Sequence, residues 1–304
     1  MNVASPGDVI LVAPDTYTQV VQVDGKGISL VADGNPALIT SLATLEVRNI
    51  PAGQTFLLDG FFLDLPNAFL GPDIPFVAQD NLGALRIQNC TFHGDPGYTG
   101  QGQIGGYAGT VTAQVWDSAS VTFHHCTFEG SNGASLFDED IDFTATNGGH
   151  GLQVISSVVD VYDSFVRGGV AGSYYDTVGM TGKSGGSGGS GVLLTGSTRC
   201  SVRDNTNQPG MGGPAGGFGA QDGDDGKAVF VSSAGSSQSE FNEQYRGLAV
   251  PSPVREGAAA ALTFTGEPGD SLLLFGSLAS SHVALPGHQG HVLASFPLLL
   301  SRQP

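Results

Sequence analysis

An all-β solenoid of stacked coils is the fold this sequence predicts, and three observations predict it. A ten-residue strand motif occurs three times and then once more in degraded form. Helical periodicity is weak throughout, while short apolar-alternating runs bounded by Gly, Pro, Asp and Asn fill the chain. Glycine accounts for 47 of 304 residues and is concentrated in the stretches that follow the motif, far above ordinary usage.

The motif reads Leu85-Arg86-Ile87-Gln88-Asn89-Cys90-Thr91-Phe92-His93-Gly94. It returns as Val121-Thr122-Phe123-His124-His125-Cys126-Thr127-Phe128-Glu129-Gly130 and as Val159-Asp160-Val161-Tyr162-Asp163-Ser164-Phe165-Val166-Arg167-Gly168. Each copy has apolar residues at places one, three and eight, a small residue at place six and Gly at place ten. Side chains two apart point to one side of a strand, so places one and three enter a core. The fourth copy, Cys200-Ser201-Val202-Arg203-Asp204-Asn205, keeps a small polar residue at place six. The copies start 36, 38 and 41 residues apart, whereas a bare solenoid coil needs roughly twenty-odd. The surplus falls at one place, as Asp95–Gly109, Ser131–Gly149, Gly169–Gly189 and Met211–Gly226. Insertions at one repeat position emerge on one face, and Gly would let neighbouring loops stack through backbone hydrogen bonds.

Upstream, Asp8–Val12, Val20–Val23, Ile28–Val31, Leu45–Arg48 and Thr55–Leu63 read as short strands. The division expected is a solenoid over 1–249 and a β element over 250–304. In the latter, Ala258–Gly266, Ser271–Gly276 and Val292–Leu300 read as strands. An open solenoid end is an exposed strand edge, so this tail is expected to be a cap.

Composition excludes some partners. With 28 acidic against 11 basic residues and a net charge of −17, the chain is no candidate for nucleic acid. A polyanionic sugar would be repelled unless a divalent cation bridged it. No apolar run reaches membrane-spanning length. Three cysteines are too few for a disulfide framework, and Cys90 and Cys126, at one motif place, are expected to stack as small core residues. Met1–Gly7 has neither the basic nor the apolar region of a signal peptide.

The opening Pro6-Gly7-Asp8-Val9-Ile10-Leu11-Val12-Ala13-Pro14-Asp15-Thr16-Tyr17, with the later Val-x-apolar-x-x-Cys/Ser-x-apolar-x-Gly rungs, resembles the right-handed parallel β-helix proteins of the pectin-lyase-like superfamily over residues 5–247. The resemblance implies the fold; the superfamily spans lyases, hydrolases, esterases, adhesins and ice binders. It also implies a short N-terminal capping helix, here cut to Asn2-Val3-Ala4, as in a trimmed chain. An extracellular or cell-surface location is the expectation.

Several residues are candidates for chemistry. Asp138, Asp140 and Asp142, with Glu139 between them and His150 downstream, could act as paired acids on a glycosidic bond or ligate Ca²⁺. Gly149-His150-Gly151 is similar to the His-Gly of polygalacturonase-like relatives, but their Asn-Thr-Asp, Asp-Asp and Arg-Ile-Lys signatures are not found here in order. Asp222, Asp224 and Asp225 alternate with Gly in a pattern suited to a hard cation, so Ca²⁺ is the candidate metal and no cofactor is required. His124-His125 lacks a partner at zinc-ligand spacing. Tyr98, Tyr107, Tyr174 and Tyr175, in the insertions, and Trp116 outside them, are aromatics of the kind that stack on sugar rings. The functional expectation is a structural or carbohydrate-binding protein without catalysis, whose partner is a polysaccharide or cell-surface material. The alternatives are a polysaccharide lyase or glycoside hydrolase using the loop carboxylates, and a self-associating filament subunit.

Overall fold

The computed structural model describes residues 3–34, 37–40, 44–64, 74–94, 108–134, 136–137, 145–175, 184–203, 205–215, 220–241 and 247–249, with strand segments at 263–265, 272–276, 283–284, 291–292 and 298–303. Three all-parallel sheets run the length of the stack. The first sheet has eight strands: Val9–Val12, Ser29–Ala32, Thr55–Asp59, Ala84–Gln88, Ser120–His124, Val158–Tyr162, Arg199–Arg203 and Ser237–Phe241. The second has seven: Thr16–Tyr17, Ala37–Thr40, Phe61–Asp64, Thr91–His93, Thr127–Glu129, Phe165–Arg167 and Thr206–Gln208. The third has seven: Val21–Asp24, Leu45–Arg48, Phe76–Gln79, Ala113–Trp116, Leu152–Ile155, Val192–Thr195 and Val229–Val231. Each coil contributes one strand to each sheet in that order, which is a parallel β-helix.

The motif copies stack in register. Leu85 pairs with Val121, Val121 with Val159 and Val159 with Cys200. Places one, three and eight all point inward, and the core forms columns such as Leu58–Ile87–Phe123–Val161–Val202. Phe92 and Phe128 stack at 4.9 Å between ring centroids, and Phe123 meets Phe128 edge-on at 5.1 Å. These rings are fully buried, each contributing about 1.5–3 kcal/mol of transfer free energy.

Two corners are fixed by local chemistry. Between first and second sheets, Gly60, Asn89, His125 and Asp163 all take positive φ. Between third and first sheets, Gly25, Asn49, Asp80, Asp117, Ser156 and Gly196 do the same. Asn, Asp and His tolerate this left-handed region better than other side chains, which suits them to a one-residue corner. Gly60 thus splits the run expected as Thr55–Leu63 into two strands.

The residue after each corner turns inward and satisfies the backbone of its neighbour. Cys126 N–H donates to Ser164 Oγ (3.0 Å), and Ser164 N–H donates to Asn205 Oδ1 (2.8 Å). At the other corner, Ile50 N–H donates to Asn81 Oδ1 and Ser118 N–H to Ser157 Oγ, each at 3.0 Å. Motif place six is therefore small because it belongs to an internal hydrogen-bond ladder. Cys90, Cys126 and Cys200 are all buried free thiols, and burial pushes Cys126 and Cys200 up to about 12.

The tail strands are antiparallel. Gly247–Ala249 pairs with Thr263–Thr265 across the expected 249/250 division, Leu272–Gly276 with Leu298–Gln303, and Val283–Ala284 with His291–Val292. Among the described residues no helix is long and apolar enough to cross a membrane.

Candidate functional site

All four expected insertions leave between the second and third sheets, so they share one edge of the helix. The fourth opens one residue earlier than the sequence suggests. Arg167 pairs with Gln208, so Pro209 occupies the motif's tenth place, and Gly210 matches Gly169.

The insertion legs form a two-layer glycine lattice. In one chain of bonds across the layers, Gly149 N–H donates to Ser131 O, Gly169 to Gly149, Gly189 to Gly169, Gly210 to Gly189 and Gly226 to Gly210, all at 2.8–2.9 Å. Three residues further out the pattern repeats: Gly172 donates to Thr146, Gly186 to Gly172, Gly213 to Gly186 and Gly223 to Gly213. A three-residue period is that of a polyproline II helix, which has no internal hydrogen bonds and must find partners outside itself. The third coil of legs shows every direction. Gly168 and Ala171 donate to the next outgoing leg, at Gln208 and Met211, while Gly185, Gly188 and Gly191 donate to the next returning leg, at Gln221, Asp224 and Lys227. The remaining N–H groups point backward onto side chains: Val170 onto Asn132 Oδ1, Ser187 onto Asn147 Oδ1 and Ser190 onto His150 Nδ1. Where the layers touch there is no room for a side chain. A Cβ on Gly149, Gly169, Gly189 or Gly210 would fall inside the carbonyl of the preceding leg in the same layer, at Thr110, Ser131, Gly149 and Gly169.

This lattice assigns several expected site residues. His150 lies on a returning leg, where burial lowers its pKa and its Nδ1 accepts from Ser190 N–H (2.9 Å). Asp225 accepts from Gly212 N–H (2.8 Å) and Asp222 from Ala215 N–H (2.7 Å), the two amides that would donate onward if another leg followed. Asp224 is exposed, and its carbonyl accepts from Gly188. Tyr174–Tyr175 form a short parallel pair with Leu136–Phe137. Tyr98, Tyr107, Asp138, Asp140 and Asp142 lie outside the described residues. Among the described residues no group of three or more His, Cys, Asp or Glu is placed to hold a metal ion.

The three outer faces differ in chemistry. On the first sheet, Arg86, Thr122 and Asp160 form one column and Gln88, His124, Tyr162 and Arg203 another. Burial lowers the pKa of Arg86; it also lowers that of His124, against the pull of Asp163. Burial, reinforced by Asp160 and opposed by Arg203, pushes Tyr162 up to about 12. His125 is exposed at the corner, 3.1 Å from Asp163. The second sheet carries a charge ladder: His93 lies 3.9 Å from Asp64 and 3.3 Å from Glu129, which is 3.5 Å from Arg167. Nothing in the sequence motif singled out this ladder, although its members recur at place nine.

The third sheet is uncharged over its central coils. Its strands Phe76–Gln79, Ala113–Trp116, Leu152–Ile155 and Val192–Thr195 alternate inward and outward. The outward residues are Val77, Gln79, Gln114, Trp116, Gln153, Ile155, Leu193 and Thr195, all half-buried. Trp116 stands between Gln79 and Ile155 in register, with its indole N–H turned out of solvent and lacking an acceptor among the described residues. Gln114 Nε2 donates to Gln153 Oε1 at 2.6 Å. Below the patch, Arg48 is neutralised by Asp24 (3.7 Å) and Glu46 (3.8 Å). Above it, Lys227 Nζ sits 4.5 Å over the Phe230 ring. Sequence reading noted Trp116 but not the platform. The signal was the shared alternation of Ala113-Gln114-Val115-Trp116 and Leu152-Gln153-Val154-Ile155.

No family model matches this chain, and no curated protein matches it. Among solved structures it is similar to the Azotobacter vinelandii mannuronan C-5 epimerase AlgE6 A-module, at 13% identity over 78% of this chain and 92% of that one. The TM-score of 0.18 is too low for that likeness to carry any argument.

Proposed function

We propose that the protein is a non-catalytic glycan-binding β-helix of the extracellular or cell-surface space, and that the outer face of the third sheet takes the sugar. The observation that carries this reading is the half-buried Trp116 beside the Gln114–Gln153 pair. An indole offers a flat apolar surface to the C–H face of a pyranose. The paired amides leave Gln114 Oε1 as an acceptor and an N–H of Gln153 as a donor, which together match the dual character of a sugar hydroxyl. Coils repeat about every 4.8 Å along the face, a step on the scale of one sugar ring, so a polymer lying along the axis meets similar groups at each coil. The glycine lattice adds a hydrogen-bonded edge between the second and third sheets.

The test is affinity electrophoresis through gels containing polysaccharides, comparing the protein with Trp116→Ala and with Trp116→Phe as a fold control. Retardation weakened by Ala and largely kept by Phe supports the reading; equal retardation of all three overturns it. A catalytic reading is favoured by one observation, the displaced pKa values of His124 and Tyr162 on the first sheet. New reducing ends or unsaturated products that vanish in Tyr162→Phe, or in Asp140→Ala for the loop carboxylates, would establish it in place of the non-catalytic one.

A further inference from the structure

We infer that the ligand of the third-sheet face is an uncharged glycan, not a uronate or sulfated one. The inference rests on the reading of that face as a sugar platform. In a chain with a net charge of −17, the eight outward positions from Val77 to Thr195 include no ionisable side chain. The other two faces carry Arg86, His124, Asp160, Tyr162 and Arg203, or Asp64, His93, Glu129 and Arg167, over the corresponding coils. The contrast is therefore a property of this face and not of the protein's surface in general.

An anionic polymer would need a cation on or beside the platform. Among the described residues, the two cations that flank the platform along the third sheet are already engaged. Arg48 is already held between two carboxylates, and Lys227 is drawn over Phe230. The corner that borders the platform instead places Asp80 and Asp117 in solvent, one coil apart. Asp80 accepts from Gln79 Nε2 at 3.0 Å, so its charge sits directly at the platform's edge. A carboxylate or sulfate on a bound chain would face these two like charges with no compensation, a cost that disfavours wrong partners. A neutral sugar meets only amides, a hydroxyl and apolar surface. Its hydroxyls can also donate to Asp80 or Asp117, since an ionised carboxylate is an acceptor only.

The experiment measures binding to immobilised neutral polymers (a β-glucan, a galactan, a xylan) and to anionic ones (polygalacturonate, alginate, dextran sulfate), at low and high salt, with and without Ca²⁺. Two variants accompany the wild type: Gln114→Ala/Gln153→Ala, which spares the Trp ring, and Asp80→Asn/Asp117→Asn, whose residues also tolerate positive φ. Thermal melting confirms that each is folded. The expected result is binding to at least one neutral polymer, little changed by salt or Ca²⁺, and weakened about tenfold or more in the glutamine variant. The anionic polymers are expected to bind weakly or not at all, and to gain in the aspartate variant. Preference for an anionic polymer that still depends on Gln114 and Gln153 overturns the inference and leaves the platform standing. Binding to no polymer, or binding unaffected by the glutamine variant, overturns the platform itself and the inference with it.

Discussion

Replacing Gly189 by Ala tests the glycine lattice at its centre. The new Cβ would overlap the carbonyl oxygen of Gly149 on the preceding returning leg. That oxygen accepts from Gly169 N–H at 2.8 Å, Gly189 N–H itself donates to Gly169 O at 2.9 Å, and Gly189 O accepts from Gly210 N–H at 2.8 Å. Separating the legs enough to admit a methyl group lengthens all three bonds. At about 1 kcal/mol each, the loss is about 3 kcal/mol, more where a freed amide stays out of water. Because coils of a solenoid interact mainly with their neighbours, the loss should appear as local opening before global unfolding. Amide hydrogen exchange is the assay. Protection should fall by roughly two orders of magnitude at Gly169, Gly189 and Gly210, with little change at Val121, Phe123 and Val161 in the first sheet. Ser187→Ala, on the exposed side of the same leg, should stay within about 0.5 kcal/mol of wild type. Unchanged exchange in Gly189→Ala, or an equal effect in Ser187→Ala, would refute the lattice as the source of order in the loops.

Three further outcomes are expected. Asn205→Ala leaves Ser164 N–H and Val161 O without their side-chain partners; it should cost about 2–3 kcal/mol by urea denaturation, and Asn205→Asp should recover only part. His150 has a folded pKa below its ordinary value, so the unfolded chain takes up the proton first, and stability is lost as pH falls through the imidazole range toward 5. Melting temperatures between about pH 7.5 and 5 should fall less steeply in His150→Gln, and an identical slope would contradict burial of the imidazole as the cause of the lowered pKa. Asp222→Ala/Asp225→Ala should raise exchange at Gly212 and Ala215, while the Asn/Asn variant keeps both amides protected. A Ca²⁺-dependent rise in melting temperature lost in that Asn variant would instead make these residues ligands.

The motif's register was readable because it is set by side-chain size. Apolar residues fill places one and three of every copy and place eight of the first three, with Asn207 there in the fourth, and a small residue fills the ladder at place six. Ser164 and Asn205 could be aligned with Cys90 and Cys126 although the four differ in chemistry. The third sheet was harder, since Ala113–Trp116 and Leu152–Ile155 lie outside the ten-residue motif, behind insertions of unequal length. The corners were illegible for another reason: Gly, Asn, His and Asp satisfy one backbone angle in four different ways. Trp116 was visible as an aromatic, but its neighbours Gln79, Gln114 and Gln153 come from three coils and meet only through register. The glycine lattice was half visible. Pairs three apart, Gly169 and Gly172, Gly186 and Gly189, Gly210 and Gly213, Gly223 and Gly226, stand in the sequence as a periodic signal. Ser131 and Thr146 break it: each lends its carbonyl to the lattice, while its hydroxyl donates to the carbonyl of Thr110 or Ala134.

The lattice also governs how the loops can change length. Each leg meets its neighbours once per three residues, so inserting or deleting one residue within a leg would turn a sealed glycine outward and drive a side chain into a neighbouring carbonyl. Changes of three residues, made in both legs of a loop, would preserve every partner and move the tip by one helical turn. Growth of these loops is therefore quantised, and single-residue variation should be confined to the tips, beyond the last shared hydrogen bond.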